Sequence, residues 1–237
     1  MKRGPQYGAT GFSTRLVDPV TGNVLQPCSA TEADVMRYFF WLPGHVKLVH
    51  RVELNQADTI RIAAALGVAH LVLRDGTLAT MATDFVETRK GKIMQKMFAC
   101  TVKNNTDLSA RTLNLLKIEQ AFWEEKGIPW RLIFRSSIPT NRIENVRWFE
   151  SFGPRSILIP LRHRAVEIEA ALYPMVVAGV RLNEACARVD ACLSLPQGTA
   201  LTHVRMFLHT AVWAVDLDVR INPMAPLLIT TRNISKL

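Results

Sequence analysis

Asp84 and Lys103 have the types and the spacing that phosphodiester chemistry asks for. Asp84 lies in Met81-Ala82-Thr83-Asp84-Phe85, and Lys103 closes Ala99-Cys100-Thr101-Val102-Lys103. An acidic residue on one strand facing an x-Lys pair on the next is the core of many magnesium nucleases. Cutting a phosphodiester requires charge neutralisation at the phosphate and hydroxide near pH 7, and a carboxylate-held divalent cation supplies both. A lysine beside it steadies the attacking water and the charge that builds on phosphorus. Magnesium takes oxygen ligands and keeps several waters, so one or two carboxylates suffice. Phe85 and Val102 flank the pair with apolar side chains, as expected of strands in a sheet core, where a charge is costly without a partner.

The elements that must position this pair can be read from pattern. Leu78 to Thr88 and Ile93 to Lys103 are rich in Met, Phe, Val and Thr around Arg89-Lys90-Gly91-Lys92, which predicts a β-hairpin. Opposing Asp84 to Thr101 requires a loop of several residues or a bulge. Thr101 and Lys103 share a strand face by alternation. Before the hairpin, residues 1–28 read as an extended arm with turns, Asp18-Pro19-Val20-Thr21-Gly22 being one of them. Ser29 caps a helix reaching Phe40, Val46 to Leu54 is a strand, Asp58 to Leu66 a short helix, and Val68 to Leu73 a further strand. After it, Ser109 to Lys126 is a long helix, with Leu113, Leu116, Ile118, Phe122 and Trp123 on its apolar face. Trp130 to Arg135 is a buried strand and Arg142 to Phe149 a helix. Beyond Gly153-Pro154 come three helices broken at Gly179 and Pro196, and an extended Trp213 to Thr230 that turns near Asn222-Pro223. Three helices and a terminal hairpin are the order of a winged helix. The domain boundary is expected near residue 160, giving domains 1–160 and 161–237.

Composition narrows the partners. Of the 237 residues, 49% are apolar and 21% charged, which excludes a disordered chain. The net charge of +9, with a pI near 9.8, points to an anionic partner. Residues 161–237 hold 8 of the 29 Lys/Arg and 6 of the 20 Asp/Glu, so most of the surplus falls on the first 160 residues. The longest apolar run, Ala170 to Val180, is about half of the roughly 20 residues a membrane span needs, and contains Pro174. The start lacks an apolar leader segment, so a cytoplasmic location with reduced thiols is expected. Four cysteines without a C-x-x-C pair, and six histidines without H-x-x-x-H, argue against a zinc site.

Other candidates have plainer readings beside their chemical ones. Glu32 completes a capping box in Ser29-Ala30-Thr31-Glu32. Glu119 reads as a solvated helix residue, and His70 after Gly67 as a structural turn histidine. Arg89, Lys90, Lys92 and Lys96 are the best candidates for phosphate contact, with a solvated hairpin tip as the alternative.

With those residues in view, the chain resembles the TnsA family, the endonuclease subunits of heteromeric cut-and-paste transposases. Ser29-x-x-Glu32 resembles the family's early helix motif, and Ile62-Ala63-x-x-Leu66-Gly67-Val68-x-His70 the segment before its catalytic strand. Met81-Ala82-Thr83-Asp84-Phe85 is similar to the family's Met-Thr-Thr-Asp-Phe, and Val102-Lys103 to its Val-Lys. Arg111-Thr112-Leu113, Lys117-Ile118-Glu119, Phe122-Trp123, Gly127-Ile128-Pro129-Trp130 and Ile138-Pro139 follow in order. Leu195-Pro196-x-Gly198-x-Ala200-Leu201 and Trp213-x-Val215-Asp216-Leu217 resemble the carboxy-terminal domain. Each piece is short; it is their order along the chain that is specific.

The resemblance implies an α/β restriction-endonuclease-like domain with a mixed sheet flanked by helices, followed by a small winged-helix-like domain. It implies Glu32, Asp84 and Lys103 as the catalytic set, with Glu119 as an accessory acid. The metal, Mg2+ with Mn2+ able to substitute, would take oxygens of Glu32, Asp84 and Thr101. Thr101 departs from the glutamine or acidic residue usual there, and Leu71 replaces a proline after His70. The implied task is cutting near the 5′ ends of a transposon while a TnsB-like transposase cuts and joins the 3′ ends. A TnsC-like AAA+ ATPase would dock on the carboxy-terminal domain. Two alternatives stand beside it: a restriction or repair nuclease of the same fold, and a DNA-binding assembly subunit that no longer cuts.

Overall fold

Side-chain caps from Ser29, Asn55 and Ser109 open the three α-helices of the first part of the chain. The computed structural model describes residues 14–150 and 163–237, and its contacts divide the chain into two units after Ile138. The boundary expected near residue 160 falls outside the described residues, as does the first part of the expected arm.

The first unit begins with a ladder of β1 (Leu16–Val17) and β2 (Val24–Leu25). Asp18 turns the chain between them: its Oδ1 accepts the N–H groups of Val20 (2.9 Å) and Thr21 (3.2 Å), and Gly22 supplies the left-handed φ of 74°. Helix α1 (Ala30–Phe40) opens at Ser29, whose hydroxyl accepts the Glu32 N–H at 3.1 Å. Strand β3 (His45–Glu53), helix α2 (Gln56–Ala65), strands β4 (Ala82–Lys90) and β5 (Gln95–Lys103), helix α3 (Ala110–Glu125) and strand β6 (Trp130–Phe134) follow.

The four long strands make one mixed sheet in the order β3-β4-β5-β6, antiparallel except for the last pair. The parallel β5–β6 pair needs a crossover, and α3 provides it. One face of the sheet packs on α2 and α3 through Leu54, Ile62, Ala63, Met81, Val86, Ala99, Ile118, Phe122 and Trp123. On the other, Phe85 meets Phe39 of α1 edge to face, with ring centroids 6.1 Å apart. This arrangement fits an α/β nuclease fold.

Three expectations change in this unit. Val68 to Leu73 forms no strand beyond an isolated bridge between Val72 and Leu78. The segment folds back on itself, with Leu73 N–H bonding Thr77 O and Ala79 N–H bonding Leu71 O, so its backbone groups are satisfied locally. The β6 strand is an edge strand, half-buried rather than buried. Leu113 lies outside the apolar face of α3, 44% exposed, whereas Glu119 lies inside it.

The second unit holds α4 (Thr140–Phe149), α5 (Ala165–Val177), α6 (Leu182–Cys192), α7 (Thr199–His209), and a hairpin of β7 (Trp213–Val215) and β8 (Ile229–Arg232). Asp190 caps α7 by accepting the N–H groups of Gly198 (2.7 Å) and Ala200 (2.8 Å). Glu169, buried on α5, holds the hairpin by accepting from Trp213 Nε1 (2.9 Å) and from Arg232 at 2.8 and 2.7 Å. Helix α4, expected in the nuclease domain, belongs here. Asn145 donates to the carbonyls of Leu217 and Val219 and accepts the Ile221 N–H, each at 2.8 Å. Arg142 pairs in a fork with Asp218. Among the described residues no helix is long and apolar enough to cross a membrane.

Candidate active site

The hairpin forms much as expected and carries the central pair. Strands β4 and β5 pair from Lys90 opposite Gln95 to Phe85 opposite Cys100, leaving residues 91–94 as the loop. Gly91 is required at its start, since a Cβ there would lie 2.2 Å from the Met94 carbonyl oxygen. The β4–β5 pairing stops at Phe85, next to Asp84, where β4 is irregular. Thr83 and Val86 both meet α3 while Phe85 faces α1, which simple alternation forbids. Opposite this irregularity Arg51 of β3 takes a left-handed φ of 55°, and neither Arg51 nor Asp84 is in the β3–β4 register.

The irregularity decides where the predicted ligands go. Asp84 Oδ2 accepts the backbone N–H of Val102 at 2.7 Å, which fixes the carboxylate beside the end of β5. Burial pushes the Asp84 carboxyl pKa up. The Val102 N–H and the Lys103 charge work against this, the Glu32 charge works with it, and the net shift is upward. Lys103, half-buried, therefore lies within the electrostatic reach of Asp84. Glu32 joins the group from α1: its Oε2 accepts the Cys28 N–H (2.9 Å) and pairs with His50 Nε2 (2.9 Å). Burial would raise the Glu32 pKa, but the hydrogen bonds from His50 and Cys28 and the charges of His50 and Arg51 outweigh it, and the pKa is lowered. Its capping is thus a variant, with the carboxylate reaching one residue beyond the usual Ser29 N–H.

Thr101 does not turn toward Asp84. Its hydroxyl donates to Glu119 Oε1, which also accepts from Thr83 Oγ1 (2.7 Å) and Trp130 Nε1 (3.1 Å). Trp123 Nε1 in turn donates to Thr83 Oγ1 at 2.7 Å. Glu119, read from sequence as solvated, is 4% exposed. Burial pushes its pKa up against the three hydrogen bonds, with the Asp84 charge adding to the rise. The structure therefore groups Glu32, Asp84 and Lys103 and adds Glu119 as a buried neighbour, while the Thr101 hydroxyl serves Glu119.

His50 is the residue that sequence reading passed over. It stacks on Phe85 at 5.2 Å and orients Glu32 from 18 positions away. A histidine inside the alternating β3 pattern was the available signal. His70 is structural as expected, with Nε2 on Thr59 Oγ1 and Nδ1 on the Leu71 carbonyl. Of the four basic candidates, Lys90, Lys92 and Lys96 are exposed, but Arg89 is committed internally. Its Nη2 donates to buried Glu87 at 2.7 Å, and its guanidinium lies over the rings of Phe39 and Phe98.

The donor set suits a hard cation. It is built of carboxylates, and both Asp84 and Glu119 have raised pKa values in part because they repel other acids. Asp84 keeps Oδ1 free of any hydrogen bond from the described residues. Oxygen donors with excess negative charge match magnesium or manganese chemistry.

Comparison with known proteins agrees with this geometry. Residues 49–134, which include β4, β5 and α3, match the family of TnsA-like endonuclease N-terminal domains. The chain is 28% identical over 204 residues to the transposition protein TnsA of transposon Tn7 from Escherichia coli, covering 83% of this chain and 71% of that protein. Residues 49–134 are thus similar to the N-terminal endonuclease domain of TnsA-like proteins, and most of the chain is similar to TnsA itself.

Proposed function

We propose that this chain is a divalent-metal-dependent DNA endonuclease that cuts near the 5′ ends of a transposon in the bacterial cytoplasm. The observation that carries the reading is the half-buried Asp84 carboxylate, fastened to the Val102 N–H within reach of the Lys103 and Glu32 charges. Mg2+, with Mn2+ able to replace it, would be held by Asp84 and Glu32; when bound it supplies charge neutralisation and a more acidic water. The chain's own residues do the rest. Val102 N–H keeps Asp84 in place, and His50 holds Glu32. The Lys103 ammonium donates toward the attacking water and the phosphoryl oxygens, where negative charge grows. Glu119, fixed by Thr83, Thr101 and Trp130, adds acidic charge beside Asp84 and so favours the cation. Lys90, Lys92 and Lys96 contact flanking phosphates.

The restriction-endonuclease-like domain would then be followed by a winged-helix-like domain in 161–237 that receives a TnsC-like AAA+ ATPase, while a TnsB-like transposase acts on the 3′ ends. A protein-binding role suits α7, the helix in the groove-reading position. Its only Arg or Lys is Arg205, whose Nε–H is spent on the Trp148 carbonyl at 2.7 Å, and groove-reading helices need several free polar side chains.

The test is a nicking assay on transposon-end DNA with graded Mg2+ or Mn2+, with and without the partner transposase. Metal-dependent nicks at the 5′ ends, absent in Asp84→Ala, are expected. In transposition, Asp84→Ala should yield fused cointegrates in place of simple insertions. Equal nicking by Asp84→Ala removes the catalytic assignment. A second reading, a subunit that assembles without cutting, draws on Thr101, whose hydroxyl faces Glu119 rather than adding a metal oxygen. No nicking by the full assembly in either metal would establish it.

A further inference from the structure

Local spacing excludes a zinc motif, yet the fold builds a zinc-type donor set from three separate elements. Cys28 precedes the cap of α1, Glu32 lies in its first turn, and His50 comes from β3. One donor atom from each lies within 4.8 Å of the other two. Glu32 Oε2 and His50 Nε2 are 2.9 Å apart, and the Cys28 N–H bonds the same carboxylate oxygen, which draws its sulfur to the cluster. His50 is further fixed by stacking on Phe85.

We propose that Cys28 Sγ, Glu32 and His50 Nε2 form a binding site for a borderline-soft divalent cation of the zinc class. A tetrahedral zinc with bonds of roughly 2.0–2.3 Å keeps its donors about 3.3–3.8 Å apart, so shifts on the order of 1 Å convert the cluster into a coordination shell. Thiolate and imidazole select such an ion over magnesium, which requires oxygen donors and strict octahedral geometry. The charges balance: the thiol releases its proton to solvent on binding, and thiolate plus carboxylate match the dication with a neutral imidazole as third ligand. Arg51 now donates from Nη1 to Cys28 Sγ at 3.3 Å. Arg51 is exposed, so its guanidinium can swing into solvent as the ion takes its place. The fourth position stays open to water.

Glu32 is thereby shared between two ion chemistries. On the nuclease reading it serves the hard cation with Asp84; with Cys28 and His50 it serves the soft one. Zinc therefore inhibits the nuclease by withdrawing Glu32, and Cys28 is the residue that makes the inhibition tight.

The probe is Co2+ added to the full chain under reducing conditions. One equivalent should give the visible absorption of a four-coordinate ion and a near-ultraviolet sulfur-to-cobalt band. Cys28→Ser should abolish that band, whereas Cys192→Ser, at the other exposed cysteine, should keep it. A band that survives Cys28→Ser, or no four-coordinate spectrum at one equivalent, overturns the site. In the Mg2+ nicking assay, Cys28→Ser should retain activity and need roughly tenfold or more Zn2+ for half-inhibition; equal inhibition of both proteins overturns the regulatory role. Asp84→Ala should lose nicking and keep the cobalt spectrum. The spectrum thus tests the ion site even where the nuclease reading fails.

Discussion

Strand β3 delivers two histidines, five residues apart, to two charge clusters of opposite kinds. His45 lies between Asp18 (3.2 Å) and Glu87 (3.7 Å), with Arg89 on the far side of Glu87. The side chains of His45, Asp18 and Glu87 are only 1–2% exposed. Two carboxylates there meet an imidazolium whose pKa is raised to about 9 and a guanidinium, so the cluster is closed and neutral. His50 belongs to an open cluster in which Glu32 keeps 19% of its side chain exposed. The acids there are poorly compensated: burial raises the pKa values of Asp84 and Glu119 against the charges and hydrogen-bond donors around them. The same residue types thus serve structure where their charges cancel and chemistry where they do not.

Exchanging charges at each cluster separates the two roles. Asp84→Asn should lower nicking by about 10³-fold or more while raising stability by about 1–2 kcal/mol, since it removes a carboxylate that burial disfavours. A drop in Tm alongside the lost activity would place Asp84 among the structural charges. His45→Ala should do the reverse at the closed cluster. It strands buried Asp18 and Glu87 and should cost about 3–5 kcal/mol in urea unfolding, with the residual nicking of the folded fraction unchanged. A cost near zero would show that the cluster is not held by its ion pairs.

pH sharpens the contrast. The His45 pKa is raised above its ordinary 6.5, so its contribution is complete below about 6.5 and is lost as pH rises through about 9. Burial opposes the shift, and the hydrogen bond to Asp18 together with the nearby Glu87 carboxylate overcomes it. Asp84 has the same sign in a more acidic window: its carboxyl pKa is also raised, so its penalty is relieved on acidification and is already complete at neutral pH. Unfolding free energies at several pH values should show a decline toward pH 9 that His45→Gln flattens and Asp84→Asn leaves in place. The smallest effect concerns the hairpin. Lys92→Ala and Lys96→Ala should each reduce the slope of log affinity against log salt by about 0.9. Arg89→Ala should leave that slope unchanged and lower Tm instead, because Arg89 belongs to the closed cluster.

What could be read from sequence follows from the range of each interaction. The Ser29 cap, the Asp18 turn, the β4–β5 hairpin and the Asp84–Lys103 pair are local or adjacent in register, and pattern exposes them. The left-handed Arg51 and the irregularity of β4 beside it have no composition signal, and they separate Thr101 from Asp84. Glu119 looked solvated because helical pattern shows a polar residue but not the Thr83, Thr101 and Trp130 donors that meet it. His45 and His50 sit in one alternating strand, and only partners 27 and 18 positions away distinguish them. Helix α4 likewise joins the second unit through partners more than 70 positions away, which local pattern does not show.

The Asn145 clamp has a consequence for synthesis. Its partners lie 72 to 76 residues downstream, so at roughly 5–20 residues per second α4 waits about 4–15 s on the ribosome before they are made. Throughout that interval Ile143, Val146 and Phe149, buried in the finished protein, have no core to enter. A fragment ending near residue 160 would stay in that condition permanently and should aggregate. One ending at Ile138 leaves the helix out and carries the whole four-stranded sheet.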